Sequence, residues 1–190
     1  MYLFFDTETT GIPRNYKAPV TDLNNWPRVV QLAFLLTDGA GQPLASWQAI
    51  IKPDGYTIPP DAANIHGITT ARALSEGVAI ATALQEFLTR LADCQVLVAH
   101  NISFDENILG AEFLRAKLAN PLPAKKRVCT MLSTTEFCAI PGPYGFKWPR
   151  LEQLYRKLFN ETFADAHSAL GDVTACARCF FELKKIGVIR

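Results

Sequence analysis

The chain has 190 residues, 49% of them hydrophobic and 19% charged, with a formal net charge of +1. That balance fits a single globular domain over residues 1–190 with a sizeable core, and it excludes collagen-like and disordered chains. It also excludes a nucleic-acid partner held by bulk basic charge alone.

Strand-type apolar runs occupy Tyr2–Phe5, Val29–Leu36, Ser46–Lys52 and Val96–Ala99. Asp38-Gly39-Ala40-Gly41 supplies a turn between the second and third, which predicts an antiparallel hairpin. A helix is expected over Glu76–Leu91, with Val78, Ala81, Leu84, Leu88 and Leu91 on one side. Another is expected over Phe104–Leu118, closed by Asn120-Pro121. A short strand near Arg127–Val128 leads into a helix from about Met131, and the last helix spans Ser168–Lys185. Residues 13–27, polar and with three prolines, and residues 139–149 read as loops. A hairpin-rich first half followed by αβαβα implies a mixed sheet with helices on both faces.

Five cysteines at irregular spacing argue against a disulfide framework and for a reducing compartment. Cys176, Cys179 and Phe180 fall at i, i+3, i+4 of the last helix and read as packed core, against a zinc or redox alternative for the Cys-x-x-Cys. The sequence shows neither a secretory signal pattern nor an apolar run long enough for a bilayer, so a cytoplasmic location with no membrane partner is expected. Basic clusters at Lys125, Lys126 and Arg127 and at Lys147, Arg150, Arg156 and Lys157 are either solvated surface or phosphate contacts.

Three acidic positions carry more information. In Asp6-Thr7-Glu8 the two acids project from the same face of a strand, because side chains alternate. Their repulsion raises a pKa unless a cation intervenes, and a hard divalent ion suits oxygen ligands. A solvent-exposed strand end is the alternative. Val96–Ala99 then runs into His100-Asn101-Ile102-Ser103-Phe104-Asp105, where Ser103 and Glu106 match an S-x-x-E capping box that puts Asp105 in the first helical turn. Asp105 there either complements the helix dipole or, if the first and fourth strands are neighbours, faces Asp6 at a strand-end crevice. Finally, His167 and Asp172 are too far apart to share a helix face, which puts His167 at the helix entry and Asp172 about one turn inside. Asp172 sits among Ala169, Leu170, Val173 and Ala175, where a carboxylate requires a cation or a donor unless it lies on the outer edge.

In this order the segments resemble the three motifs of the DEDDh (DnaQ-like) 3′–5′ exonucleases: Asp6-Thr7-Glu8-Thr9-Thr10-Gly11, His100-Asn101-x-Ser103-Phe104-Asp105, and Ala166-His167-x-Ala169-Leu170-x-Asp172. Ile58-Pro59 through Ile65-His66-Gly67-Ile68-Thr69 also resembles a family segment that lies over the bound 3′ end. The long 13–27 segment is the main departure from the family pattern. The resemblance implies an α/β RNase H-like fold: a five-stranded mixed sheet, second strand antiparallel, flanked by helices on both faces. It implies two divalent metal ions, Mg2+ with Mn2+ as a substitute, held by Asp6, Glu8, Asp105 and Asp172, with His167 as general base. Substrate contacts carried over from it are Thr9, Thr10, Ile12, Ile65, His66, Asn101 and Phe104. Core packing is the competing reading for Ile12, Ile65 and Phe104.

The implied activity is hydrolysis of single-stranded or frayed DNA from the 3′ end, releasing nucleoside 5′-monophosphates, as in repair or proofreading. RNA or oligoribonucleotide trimming is the alternative within the class. A polymerase-associated proofreading module is the alternative of another class, and a homodimer is compatible with either. Because the sequence shows no linker and no tail after Arg190, a free-standing enzyme is expected. A silent nucleic-acid-binding domain would not need the acids.

Overall fold

Near-continuous apolar runs are best buried in strands covered on both faces. Three of them form the centre of the sheet: β1 (Tyr2–Thr9), β2 (Val29–Thr37) and β4 (Val96–Ala99). With β3 (Pro43–Ile50) and β5 (Lys126–Cys129) they make a five-stranded sheet of order β3-β2-β1-β4-β5. The β2 strand is antiparallel to β1 and β3, whereas β4 is parallel to β1 and β5. The mixed sheet expected from the sequence is therefore present in this computed structural model, which describes residues 1–163 and 168–189.

Alternation along β1 divides the core. Leu3 and Phe5 face α3 (Ile80–Asp93) and α4 (Ile102–Arg115), packing with Phe87, Ile108 and Phe113. Phe4 faces the other side, against Phe180 and Leu183 of α8 (Ala169–Lys185), with α7 (Leu151–Phe159) alongside. Asp6 and Glu8 continue the even-numbered series and so emerge on the α8 side. Cys176 and Cys179 are buried in that layer as packed thiols, and burial pushes the Cys179 thiol up to about 12. Among the described residues, no helix is long and apolar enough to cross a membrane.

The helix predicted over Glu76–Leu91 starts later, at Ile80, and Glu76 is the last residue of a separate helix. After α1 (Pro60–His66), α2 (Thr70–Glu76) ends at Gly77, and the chain runs extended before α3. Val78 there exchanges backbone hydrogen bonds with Ile50 and Lys52, like a fragment of strand. A Cβ on Gly77 would lie 2.3 Å from the Ala73 carbonyl oxygen and 2.6 Å from Lys52 N, so only glycine fits this close approach. The buried face of α3 is Ala83, Leu84, Phe87 and Leu91, while Ala81 is exposed.

The Ser103–Glu106 capping box is absent. Asn101 caps α4 in the left-handed conformation, with φ of 72°, a region that asparagine tolerates. Ser103 already lies inside the helix, and Glu106 instead receives Arg127 Nη1 on both oxygens at 2.8 and 2.9 Å. The region after β5 is also more finely divided than expected: α5 (Thr130–Ser133), α6 (Thr135–Cys138) and a two-stranded ladder of β6 (Pro141–Gly142) and β7 (Gly145–Phe146).

Residues 13–27 carry no regular element, yet they are tied down. Asn25 accepts from Asn15 N at 2.8 Å and donates to Asn15 O at 3.0 Å, and Trp26 is buried with Nε1 on the Pro19 carbonyl. Arg115 Nη2 donates to the carbonyls of Leu23 and Trp26, both at 2.6 Å. Arg115 is held by buried Glu112, whose Oε1 also accepts from Arg28 Nε at 2.8 Å and Val29 N at 3.2 Å. One carboxylate thus joins α4, β2 and the loop. Removing it strands two arginines in a mostly buried setting, which typically costs about 3–5 kcal/mol. Glu112→Ala should lower the urea-unfolding free energy by about 3 kcal/mol, the low end because both arginines retain some solvent.

Candidate active site

The β4 strand ends at Ala99, and its register with β1 runs Tyr2↔Val96 to Phe4↔Val98. Beyond that point β1 pairs with β2 alone, as far as Thr9. The strand is therefore longer than the Tyr2–Phe5 run suggested, and both acids lie within it. Asp105, buried in the first turn of α4, takes over the open edge. Its Oδ1 accepts from Thr7 N at 3.0 Å and from Thr7 Oγ1 at 2.7 Å. The first and fourth strands are neighbours, and Asp105 is close enough to act electrostatically on Asp6.

Across the sheet, Asp172 sits in the first turn of α8, its N–H donating to the Ser168 carbonyl at 2.9 Å. The start of α8 is fastened to the sheet by Gln31, which accepts from Ala169 N at 3.1 Å and stands opposite Glu8 in the β1–β2 register. One carboxylate oxygen each from Asp6, Glu8 and Asp172 lies within 4.8 Å of the others. His167 lies outside the described residues.

Three converging carboxylates in a half-buried site oppose one another's ionisation. Burial, then the charges of Asp105, Asp172 and Glu8, raises the Asp6 pKa well above the usual carboxylate range. Burial and Asp172 push Glu8 up to about 7. Burial also raises Asp105 to about 7 against the lowering effect of its two Thr7 hydrogen bonds. A hard divalent cation with oxygen ligands fits this donor set and removes the conflict.

Beside the acids lies a cleft of about 500 Å³ lined by Glu8, Thr9, Thr10, Ile12, Ile65, His66 and Phe104, among others. The structure thus brings six of the seven sequence-derived substrate contacts together, and Asn101 borders an adjoining groove that also includes Phe104. Ile12 and Ile65 are 74% and 63% exposed, so core packing does not account for them. Phe104 is partly buried against the core. Thr9 Oγ1 donates to the Gly11 carbonyl at 2.6 Å, and Thr10 exchanges hydrogen bonds with Arg28 through its N–H and Oγ1. Both threonine hydroxyls therefore shape the loop. His66 ends α1; its Nδ1 accepts from Ile68 N at 3.1 Å, so the proton resides on Nε2. Burial lowers its pKa, keeping the ring neutral, with the Thr9 carbonyl acting the other way.

A family model described as RNase_T exonuclease matches residues 3–180. The chain belongs to that exonuclease family. Among curated proteins, this chain is 29% identical to the DNA polymerase III subunit epsilon of Treponema pallidum, over 93% of its own length and 73% of that relative. It is 31% identical to a DNA polymerase III subunit epsilon-like protein of Rhodobacter capsulatus, over 96% of this chain but 23% of the relative. Among solved structures, E. coli exonuclease I in complex with a dT13 oligonucleotide superposes with a TM-score of 0.75 at 24% identity, over 96% of this chain and 40% of that one. The last comparison establishes the RNase H-like fold. The chain spans less than half of the exonuclease I chain.

Thr7, Gln31 and His100 are positioning groups that the motifs do not single out by role. His100 Nε2 bonds the Pro149 carbonyl at 2.9 Å, and since a carbonyl only accepts, Nε2 carries the proton and Nδ1 accepts from Thr130 Oγ1 at 3.0 Å. Thr7 and His100 stand inside the quoted motifs, whereas Gln31 has no local signal.

The raised carboxylate pKa values set a pH dependence of stability. A carboxyl at about 4 in the unfolded chain and higher in the folded one leaves the folded state binding more protons between those values. Stability of the metal-free protein should therefore fall as pH rises from about 4 through 7. Thermal melts in chelator should show a lower Tm at pH 8 than at pH 5. Manganese should raise Tm more at pH 8, and Asp172→Asn should raise the metal-free Tm at pH 8. A Tm that climbs with pH in chelator would contradict the electrostatic account.

Proposed function

We propose that the chain is a metal-dependent 3′–5′ exonuclease that removes nucleoside 5′-monophosphates from single-stranded or frayed DNA ends. The observation that carries this reading is the convergence of Asp6, Glu8 and Asp172 at the side of a cleft walled by exposed Ile12 and Ile65. The RNase_T family supports the reaction class. The polymerase epsilon relative and the exonuclease I–dT13 complex support DNA as the substrate.

Asp6, Glu8 and Asp172 would hold the first cation, and Asp105, locked on Thr7, would serve a second. Bound divalent metal supplies the positive charge a phosphodiester requires and activates water for attack on phosphorus. Ile12 and Ile65 would separate the last two bases by apolar contact, which tolerates any base. The Nε2–H of neutral His66 would donate to a sugar or phosphate oxygen in the cleft. His167, by family resemblance, would take the proton of the attacking water near neutral pH. The epsilon relative also favours a second reading, association with a DNA polymerase.

A labelled-strand assay compares DNA with RNA, single with double strands and either end blocked, in magnesium and in chelator. Shortening of single-stranded DNA from a free 3′ end in magnesium alone is expected. Products from a 3′-blocked strand, or undiminished activity in chelator, would overturn the reading. Asp6→Ala and Asp172→Asn should abolish cleavage while remaining folded. His167→Ala should slow it roughly 10²–10⁴-fold with manganese affinity unchanged in calorimetry. A loss that instead tracks weaker metal binding would remove the base role.

A further inference from the structure

Next to the cleft lies a second groove of about 320 Å³, lined by Tyr16, Trp26, Phe104, Met131, Leu132 and Trp148 with three polar residues of the α4 entry. We infer that this groove is a stacking subsite for a nucleobase upstream of the two terminal nucleotides of a single strand. The inference rests on the exonuclease reading for the direction of the strand, and on separate observations for the occupant.

Continuity comes first. Phe104 borders both the cleft and the groove, so a strand whose end lies against Ile12 and Ile65 has a direct path past this ring. Chemistry comes second. Tyr16 and Trp148 remain 58% and 64% exposed although they are large aromatic residues, and stacking on such faces holds bases of any sequence. Charge comes third. Residues 13–27 carry Arg14 and Lys17 against one acid, Asp22, and residues 139–150 carry Lys147 and Arg150 with no acid. The two walls are thus locally basic on a chain that is nearly neutral, which complements a phosphate backbone.

The walls are also held in place before any ligand arrives. Tyr16 follows Asn15, which is clamped on both its N–H and its carbonyl by Asn25, and Arg14 Nη2 is fixed on the Asn24 carbonyl at 2.9 Å. On the other side, His100 grips the Pro149 carbonyl next to Trp148, and Lys147 N donates to the Ile140 carbonyl at 2.9 Å. Wall backbone held in this way does not have to be ordered when a base stacks on the rings it carries. The groove thus gives the 13–27 segment a role in substrate reach: it contributes Tyr16 to one wall.

The test uses fluorescein-labelled oligo-dT of two to eight nucleotides, bound to the full chain with calcium replacing magnesium and read by anisotropy. Hydrolysis of the same strands, and of the p-nitrophenyl ester of thymidine 5′-monophosphate, is measured in parallel with manganese. Wild-type affinity should step up once the strand exceeds two nucleotides. Trp148→Ala and Tyr16→Ala should each weaken binding of the eight-mer about 10-fold, while the dinucleotide and the ester behave as with wild type. Trp148→Phe should keep most of the step. Losses equal at all lengths, or no loss, would overturn the subsite; the latter is also the outcome if the groove serves a protein partner. A length step that survives without any strand hydrolysis by wild type would keep the subsite and sink the exonuclease reading. Hydrolysis indifferent to length and to both variants would do the reverse.

Discussion

A strand that outruns its neighbour governs this molecule. Because β4 stops while β1 continues beside β2, one edge of β1 is left with backbone groups in need of partners. Asp105 occupies that edge, accepting the Thr7 amide and hydroxyl, and so brings a carboxylate from the α4 side of the sheet towards Asp6, Glu8 and Asp172 on the α8 side. The same gap in the sheet that lets the acids meet also opens them to a ligand, in keeping with the strand-end crevices where α/β folds bind substrates. The resulting repulsion lies in fixed elements and cannot relax by a simple rotation of exposed side chains. It destabilises the metal-free site and favours a cation there.

The features legible in the sequence were those set by strict periodicity. Asp6 and Glu8 share a face because β-strands alternate, and α8 shows its apolar stripe in Cys176, Cys179 and Phe180. The order of the three acidic segments led to the family and hence to the sheet. Elsewhere tertiary contacts override the local pattern. Glu76–Leu91 looks helical throughout, but Val78 is drawn into pairing with Ile50 and Lys52. Ser103 and Glu106 have the spacing of a cap, yet the sharp exit from β4 starts the helix earlier, at a left-handed Asn101. Glu112 resembles any helical acid, and its junction with Arg28 becomes visible only when α4 is laid over β2. Gln31 likewise gives no hint that it anchors a helix far along the chain.

The two irregular segments show how polar composition can conceal order. Residues 13–27 would pass for a flexible insertion, but buried Trp26 and the Arg115 guanidinium hold their backbone as firmly as secondary structure would. Residues 139–149 are fastened by one imidazole whose two nitrogens are both engaged. In both places a side chain from the α4 region reaches outward to capture carbonyl oxygens. The helix that positions Asp105 therefore also positions the surroundings of the cleft.

The distance along the chain between Asp6 and Asp172 has a consequence for biogenesis. Thr7 and Asp105 are separated by 98 residues, and α8 enters the fold after every strand of the main sheet has been made. No amino-terminal fragment that stops short of α8 contains the third carboxylate. A growing or truncated polypeptide thus lacks one of the three converging carboxylates until that helix docks, a built-in delay between synthesis and assembly of the acidic cluster.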